Sequence, residues 1–271
     1  MRNLIFAVLL ACCSAGAVAG NAPDIQAVFN FKQLAALSKG LERVLASRRA
    51  TVALIGRVSL PPEILPPGVQ FSHAGFAVYS TIRTSDGRLV PGYAVYNLYQ
   101  KDLHTGISYL AQDYPIDYLA SAQVLKAGVI IPNEKLQRAL TRTIFSDAYT
   151  KLHNTRYSAI SNPFNSQFQN CTEFVLDVVF ASIYGTDDTR RIKTNIAAYF
   201  EPQPIRVDAL KLALASMLMP DVTTEDHAGP IATTTFTSIA RFLLQYGMAD
   251  EVFSFTVDPT TLYGETVELE L

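Results

Sequence analysis

A thiol and an imidazole carry most of the chemical potential of this sequence. The chain has three cysteines, Cys12, Cys13 and Cys171. The first two lie in a segment that reads as an export signal, so Cys171 is the thiol expected in the mature protein. A single thiol in an oxidising compartment has no intramolecular disulfide partner. It is then an inert buried side chain, an intermolecular link or a reactive nucleophile. The local string is Gln169-Asn170-Cys171-Thr172-Glu173-Phe174-Val175. Asn170 followed by Glu173 resembles a capping box, which places Cys171 in the first turn of a helix. Phe174, Val175, Val178 and Val179 follow at i+3, i+4, i+7 and i+8, so the thiol opens an inward-facing stripe. Unpaired N–H groups and the helix dipole there favour a thiolate and lower its pKa. The same N–H groups can bind an oxyanion. A small apolar residue starting a core face would give the same periodicity.

A nucleophilic thiol needs a base, and the histidines are His73, His104, His153 and His227. His73 stands inside an apolar run, Phe71-Ser72-His73-Ala74-Gly75-Phe76-Ala77-Val78-Tyr79. Alternation along a strand puts His73, Gly75 and Ala77 on one face and Ala74, Phe76 and Val78 on the other. The small residues beside His73 are expected to let the cysteine helix approach that face. The opposing reading is a strand-end histidine with its ring in solvent. Cys171 and His73 are expected to approach within about 4 Å, as a nucleophile and its base require. No metal site is expected, because no histidine pair at i, i+4 occurs and the carboxylates do not cluster at ligand spacing.

The elements that must position these residues can be read in outline. Leu34, Leu37, Leu41, Val44 and Leu45 predict an amphipathic helix over 28–48. Thr51–Val58 reads as a strand and Pro61–Pro67 as a loop. Phe71–Ile82 and Tyr93–Tyr99 read as strands joined through Ser85-Asp86-Gly87. A short strand is expected at Val129–Ile131, then a helix capped by Asn133. Residues 150–169 are polar and aromatic. Helices are expected over 171–184, 207–219 and 235–246, with a last strand at Val252–Val257. Strands cluster early with helices on both sides, which indicates an α+β fold.

The N-terminus has Arg2, the apolar run Leu4–Ala11 and a small-residue end, Ala17-Val18-Ala19-Gly20. That pattern is a secretory signal, residues 1–20, with the mature chain starting near Gly20 or Asn21. The run is too short to span a bilayer. Leu9-Leu10-Ala11-Cys12 also resembles a lipobox, so a lipid anchor on Cys12 is the alternative. The protein is therefore expected in the periplasm or secreted, or else as a lipoprotein. A formal net charge of −2 and the lack of a long basic run argue against a nucleic-acid partner. Hydrophobic residues make up 49% of the 271, enough to bury a sizeable core.

His-Ala-Gly-Phe opening a strand, with Asn-Cys-Thr-Glu-Phe-Val opening a helix far downstream, resembles the permuted NlpC/P60-type papain-like superfamily. Its members include YiiX-like envelope proteins and the lecithin:retinol acyltransferase-like group. The order histidine before cysteine matches the permuted members. Val52–Val58, the His73 strand, the region of Tyr157 and the Asp226-His227 loop together resemble an uncharacterised family of secreted bacterial proteins. The resemblance implies a circularly permuted papain-like core over 51–200, an antiparallel sheet packed against helices. An N-terminal helix over 21–50 and a C-terminal helical extension over 201–271, with a final strand, would be added to it. It also implies a third polar residue that orients the histidine from the next strand, Tyr93–Gln100. Asn97 is the best match and Gln100 the runner-up; an edge-strand amide facing water is the competing reading. An amide there accepts the ring N–H and fixes the tautomer. Gln169, Asn170, Tyr157 and Gln100 are the expected oxyanion or substrate-pocket residues.

The implied chemistry is thiol-dependent hydrolysis or acyl transfer at an amide or ester bond of the cell envelope. The substrate would be a small molecule, a peptide or a lipid, and no cofactor is required. A catalytically silent envelope binding or scaffold protein on the same fold is the alternative, and the lack of an acidic third residue speaks for it.

Overall fold

A computed structural model describes residues 28–84, 86–101, 105–206 and 222–271. The expected export signal, Cys12, Cys13, Ser85, His104 and the expected helix at 207–219 lie outside the described residues.

The fold is α+β around one large antiparallel sheet. Its strands are β1 (Val52–Arg57), β2 (His73–Arg83), β3 (Leu89–Gln100), β4 (Ser108–Asp113), β5 (Lys126–Pro132), β8 (Ala249–Val257) and β9 (Gly264–Glu268). Their order is β4-β3-β2-β1-β5-β8-β9, and every neighbouring pair is antiparallel. A two-stranded ribbon, β6 (Gln203–Pro204) and β7 (Ala232–Thr233), stands apart. β1 is buried along its whole length, which explains why it reads as a continuous apolar run rather than an alternation. Val52 and Leu54 face one core, whereas Ala53 and Ile55 face the other.

Helices cover both faces. On one lie α1 (Phe31–Ser47) and α2 (Pro115–Leu119), whose Leu37, Leu41, Leu45, Tyr118 and Leu119 pack with Ala53, Ile55, Ala77 and Val95. On the other lie α3 (Glu134–Ile144), α5 (Cys171–Tyr184) and α7 (Phe236–Gln245), with Leu140, Phe174, Val178, Phe236 and Ile239 against Leu54, Ala74, Phe76 and Val78. The short α4 (Asp147–Lys151) and α6 (Thr189–Tyr199) close that layer. The expected caps are present: Asn133 Oδ1 accepts from the Leu136 N–H at 2.9 Å. Gly128 lets α7 come close, since a Cβ there would lie 2.6 Å from Phe236 and 2.7 Å from Phe71.

Several elements depart from the sequence reading. β3 begins at Leu89, four residues before the expected Tyr93, and continues the hairpin to its turn. β4, α2, α6 and β9 are additional. Each is short or mostly polar: α6 has only Ile192 and Ile196 as buried apolar anchors, and β9 is an exposed edge strand. The segment expected as an added C-terminal extension contributes β8 and β9 to the main sheet, with β8 paired along β5. Residues 249–268 are thus part of the core sheet.

The face of approach also differs. Cys171 and the rest of α5 pack on the Ala74, Phe76 and Val78 face of β2. The face shared by His73, Gly75 and Ala77 is covered by α1 and α2 instead. Gly75 makes room for a neighbouring strand, because a Cβ on it would lie 2.8 Å from the Asn97 Cβ.

Candidate active site

α5 starts where the sequence expects it. Asn170 is extended, with its side chain accepting from the Glu173 N–H at 2.8 Å, so Cys171 is the first helical residue. Residues 171 to 182 of α5 are all buried, so the helix runs through the core with no solvent face over that stretch. The Cys171 side chain is 5% exposed. Its sulfur lies 3.9 Å from the Ser72 carbonyl oxygen and also receives the Ala74 backbone N–H. The backbone on either side of His73, at Ser72 just before β2 and at Ala74 within it, therefore meets the sulfur. That contact lies where β3 has left the ladder, since the β2–β3 pairing begins at Gly75 and Asn97. From the far side of the sheet, α5 thus reaches the backbone that carries the histidine.

Burial pushes the Cys171 thiol up from its ordinary value, while the Ala74 N–H, the Arg57 charge and the helix N-terminal N–H groups pull against it. The helix terminus alone was expected to lower this pKa; desolvation in the closed core is the larger effect. The free thiol is the resting form.

His73 is equally enclosed. Its Nε2 lies 3.0 Å from Asn97 Oδ1. Its ring stacks on Tyr99 with centroids 5.0 Å apart and tilts against Tyr118 at 5.6 Å. Asn97 in turn donates from Nδ2 to Asp113 Oδ2 at 3.1 Å, and the Tyr99 hydroxyl donates to the same oxygen at 2.7 Å. A hydrogen-bonded chain thus crosses three strands, from β2 through β3 to β4. Burial, and then the Arg57 charge, lower the His73 pKa to about 3, with the Asn97 bond working the other way. The imidazole is neutral at physiological pH, and its enclosure makes it a weak base in the resting state.

Arg57 stands opposite His73 in the β1–β2 register. Its guanidinium lies 4.7 Å from the Tyr118 ring centre and 5.4 Å from that of Tyr99. It is buried, and Nε and Nη1 have no hydrogen-bond partner. Contacts of this kind with a ring are worth about 2 kcal/mol when desolvated, so two tyrosines partly offset the cost of burying the cation. The result is a fixed positive charge beside the thiol and the imidazole.

The other expected site residues make contacts of their own. Gln169 Nε2 donates to Asp177 Oδ2 at 2.8 Å and to the Leu152 carbonyl at 3.1 Å, and its Oε1 accepts from the Asn154 N–H. Its amide is thus engaged behind α5. Asn170 is spent as the cap and on Ala159 and Thr233. Tyr157 forms a parallel bridge with Gln169, and its N–H donates to Gly106. Gln100 pairs with Ser108 on β4. Glu173 does not complete a capping box: its carboxylate turns to Lys193 at 2.7 Å, which also meets Asp177 at 2.7 Å. His153 bonds Ser108. His227 bonds the Ile160 carbonyl, while Asp226 accepts from the Asn162 N–H. The Asp226-His227 loop therefore braces residues 160–165 ahead of the cysteine. Among the described residues, no group of three or more His, Cys, Asp or Glu side chains could hold a metal ion. No helix among them is long and apolar enough to cross a membrane.

The family described as an uncharacterized protein conserved in bacteria (DUF2145) matches residues 44–243. The chain belongs to that family. The match runs from the last turns of α1 into α7 and includes Arg57, His73, Asn97, Asp113 and Cys171. No curated protein and no solved structure matches the chain.

Sequence reasoning missed Arg57, Tyr99, Tyr118 and Asp113. One of these had a usable signal. Arg57 is a charge at the end of an otherwise apolar run, Val52-Ala53-Leu54-Ile55-Gly56. Asp113 ends the short run Ser108–Asp113, which did not read as a strand because only Ser108 in it is buried.

Proposed function

We propose that this protein is an exported thiol-dependent hydrolase or acyltransferase of the bacterial envelope, built on a circularly permuted papain-like core. The observation that carries the reading is the bond between His73 Nε2 and Asn97 Oδ1, on a ring whose flanking backbone touches the Cys171 sulfur. With Nε2 occupied, Nδ1 is the remaining ring nitrogen, and this reading assigns it to the thiol. A nucleophile, a base and an orienting amide then follow one another in order. The succession of histidine strand, amide strand and cysteine helix is that of the permuted members. The N-terminal segment Leu4–Gly20 supports export.

In this mechanism His73 Nδ1 takes the thiol proton as sulfur attacks the carbonyl carbon of an amide or ester. The carbonyl oxygen becomes an oxyanion held by N–H groups at the start of α5. As the tetrahedral centre collapses, the amine or alcohol leaves with the proton from His73. Water or another acceptor then attacks the thioester carbonyl carbon, giving its proton to the same nitrogen, and as the C–S bond breaks the departing sulfur takes that proton back, restoring the thiol and the neutral ring. The neutral resting pair makes proton transfer concurrent with attack. Arg57 favours the transient negative charge on sulfur and oxygen but opposes a long-lived imidazolium.

The near-complete burial of the sulfur favours a second reading, a silent scaffold that keeps the fold. The two are separated by 4-nitrophenyl acetate at neutral pH. The enzyme reading expects one acetyl group on Cys171, seen by peptide mass spectrometry, and none on Cys171→Ala. It expects acylation slowed by roughly 100-fold or more in His73→Ala. No acetylation of Cys171, or equal rates with and without His73, rejects it.

A further inference from the structure

The orienting residue is an amide, and an amide alone does not determine which way it faces. Asn97 has an acceptor at Oδ1 and donors at Nδ2, and its two orientations are nearly the same shape. With Oδ1 toward His73, the ring must donate from Nε2–H, leaving a lone pair on Nδ1. With Nδ2 toward His73, Nε2 must accept. A neutral ring then carries its proton on Nδ1 and has no lone pair for the thiol.

We propose that Asp113 is the positioning residue that selects between these states, by accepting from Asn97 Nδ2 and so turning Oδ1 to the His73 ring. The proposal rests on the thiol–imidazole reading above. An ionised carboxylate has only acceptors. If Asn97 flipped, its Oδ1 would lie against Asp113 Oδ2, two acceptors facing each other in a part-buried contact. Asn97 is 0% exposed, so water does not relieve that contact. The distances are 3.0 Å from ring to amide and 3.1 Å from amide to carboxylate. Asp113 is itself fixed by the Tyr99 hydroxyl at 2.7 Å, and the Tyr99 ring stacks on the same imidazole, 8° from parallel. Tyr99 thus aligns the ring and the carboxylate together. Asp113 touches neither ring nor sulfur in this arrangement; it acts through Asn97. An acidic residue is therefore present, one strand beyond the position where the resemblance looks for it.

The test uses histidine tautomers read by long-range ¹H–¹⁵N NMR on the folded chain, together with acylation of Cys171 by 4-nitrophenyl acetate. In the wild type at neutral pH, His73 is expected as the Nε2–H tautomer; finding Nδ1–H overturns the proposal. Asp113→Asn, nearly equal in size, is expected to give a mixture of tautomers and acylation slower by about 10- to 100-fold. Asp113→Glu is expected to recover the Nε2–H form in part. In the wild type, protonating Asp113 is expected to mix the tautomers as well, a readout that needs no variant to fold. Asp113→Asn with an unchanged tautomer and unchanged rate defeats the proposal even if Cys171 is acylated normally. Failure of the wild type to acylate defeats the enzyme reading instead, while the tautomer still decides the role of Asp113.

Discussion

Two buried polar clusters lie along this molecule, and they differ in how they end. One joins α5 to α6. Lys193 meets Glu173 at 2.7 Å and Asp177 at 2.7 Å, with Gln169 bonded to Asp177 from behind. Its cation meets two carboxyl groups, both raised by burial, Glu173 to about 8, and within the cluster only Glu173 Oε2 lacks a hydrogen-bond partner. A cleft of about 340 Å³ opens beside it. The other cluster runs from Asp113 through Asn97 to His73 and stops at a neutral ring beside a thiol, with Nε and Nη1 of Arg57 unpartnered among the described residues. The first cluster satisfies its charges internally and ties two helices together. The second runs to the His73 ring, where Asn97 holds Nε2.

Removing the cation of the first cluster is the largest expected effect. Lys193→Met leaves two buried carboxyl groups without their cation, which costs about 3–5 kcal/mol. For a chain of this size that lowers the melting temperature by roughly 10 °C. Denaturant unfolding and calorimetry read it. If Lys193→Met instead kept full stability and lost Cys171 acylation, the ion cluster would belong to the site and the contrast would collapse.

Acid should act on the second cluster. The folded His73 pKa, about 3 against 6.5 for the ordinary side chain, means that the unfolded chain binds the proton first. The native state is therefore favoured above pH 6.5, and this contribution is lost as pH falls toward 3. Other buried acids titrate in the same range, so the comparison is with His73→Gln, whose amide can still donate to Asn97. Between pH 7.5 and 4.5 the wild type should lose roughly 2–3 kcal/mol relative to that variant. Parallel stability curves would mean that His73 is not buried as a neutral ring.

The two clusters were unequally legible in the sequence. Cys171, His73 and Asn97 stood out because each breaks a pattern: a polar or reactive residue at a helix start or inside an apolar strand. The amphipathic period of α1, the cap at Asn133 and the hairpin after β2 were also readable, since local chemistry dictates them. The face on which α5 packs was not. Small residues at 75 and 77 announce a close approach, but the partner of Gly75 is the side chain directly across the ladder, and only the register reveals that. Asp113 was hidden because β4 is mostly exposed, and Lys193 because α6 has a single apolar anchor pair. Pairings between residues far apart in the chain are set by topology, which one sequence does not display.

Gly75 gives the smallest effect and the sharpest probe of the second cluster. A methyl group at this position would sit 2.8 Å from the Asn97 Cβ and 3.1 Å from the Tyr96 carbonyl oxygen. Neither neighbour is the free end of a flexible chain. Gly75→Ala must therefore shift the β2–β3 ladder where His73 and Asn97 meet, at a cost of about 1–3 kcal/mol. Gly92→Ala, on the same pair of strands, has Ile82 Cδ1 at 3.5 Å as its nearest contact, an ordinary packing distance. It should change stability by less than about 1 kcal/mol. The two substitutions add the same atom to the same hairpin, one beside the hydrogen-bond chain and one at its far end. If the orientation of Asn97 governs the base, Gly75→Ala should slow acylation of Cys171 by more than its stability loss explains, whereas Gly92→Ala leaves the rate unchanged. Equal acylation by both variants, measured on protein still folded at the assay temperature, would mean that the site tolerates displacement of Asn97. The chain from Asp113 to His73 would then be a structural cluster like the one between α5 and α6.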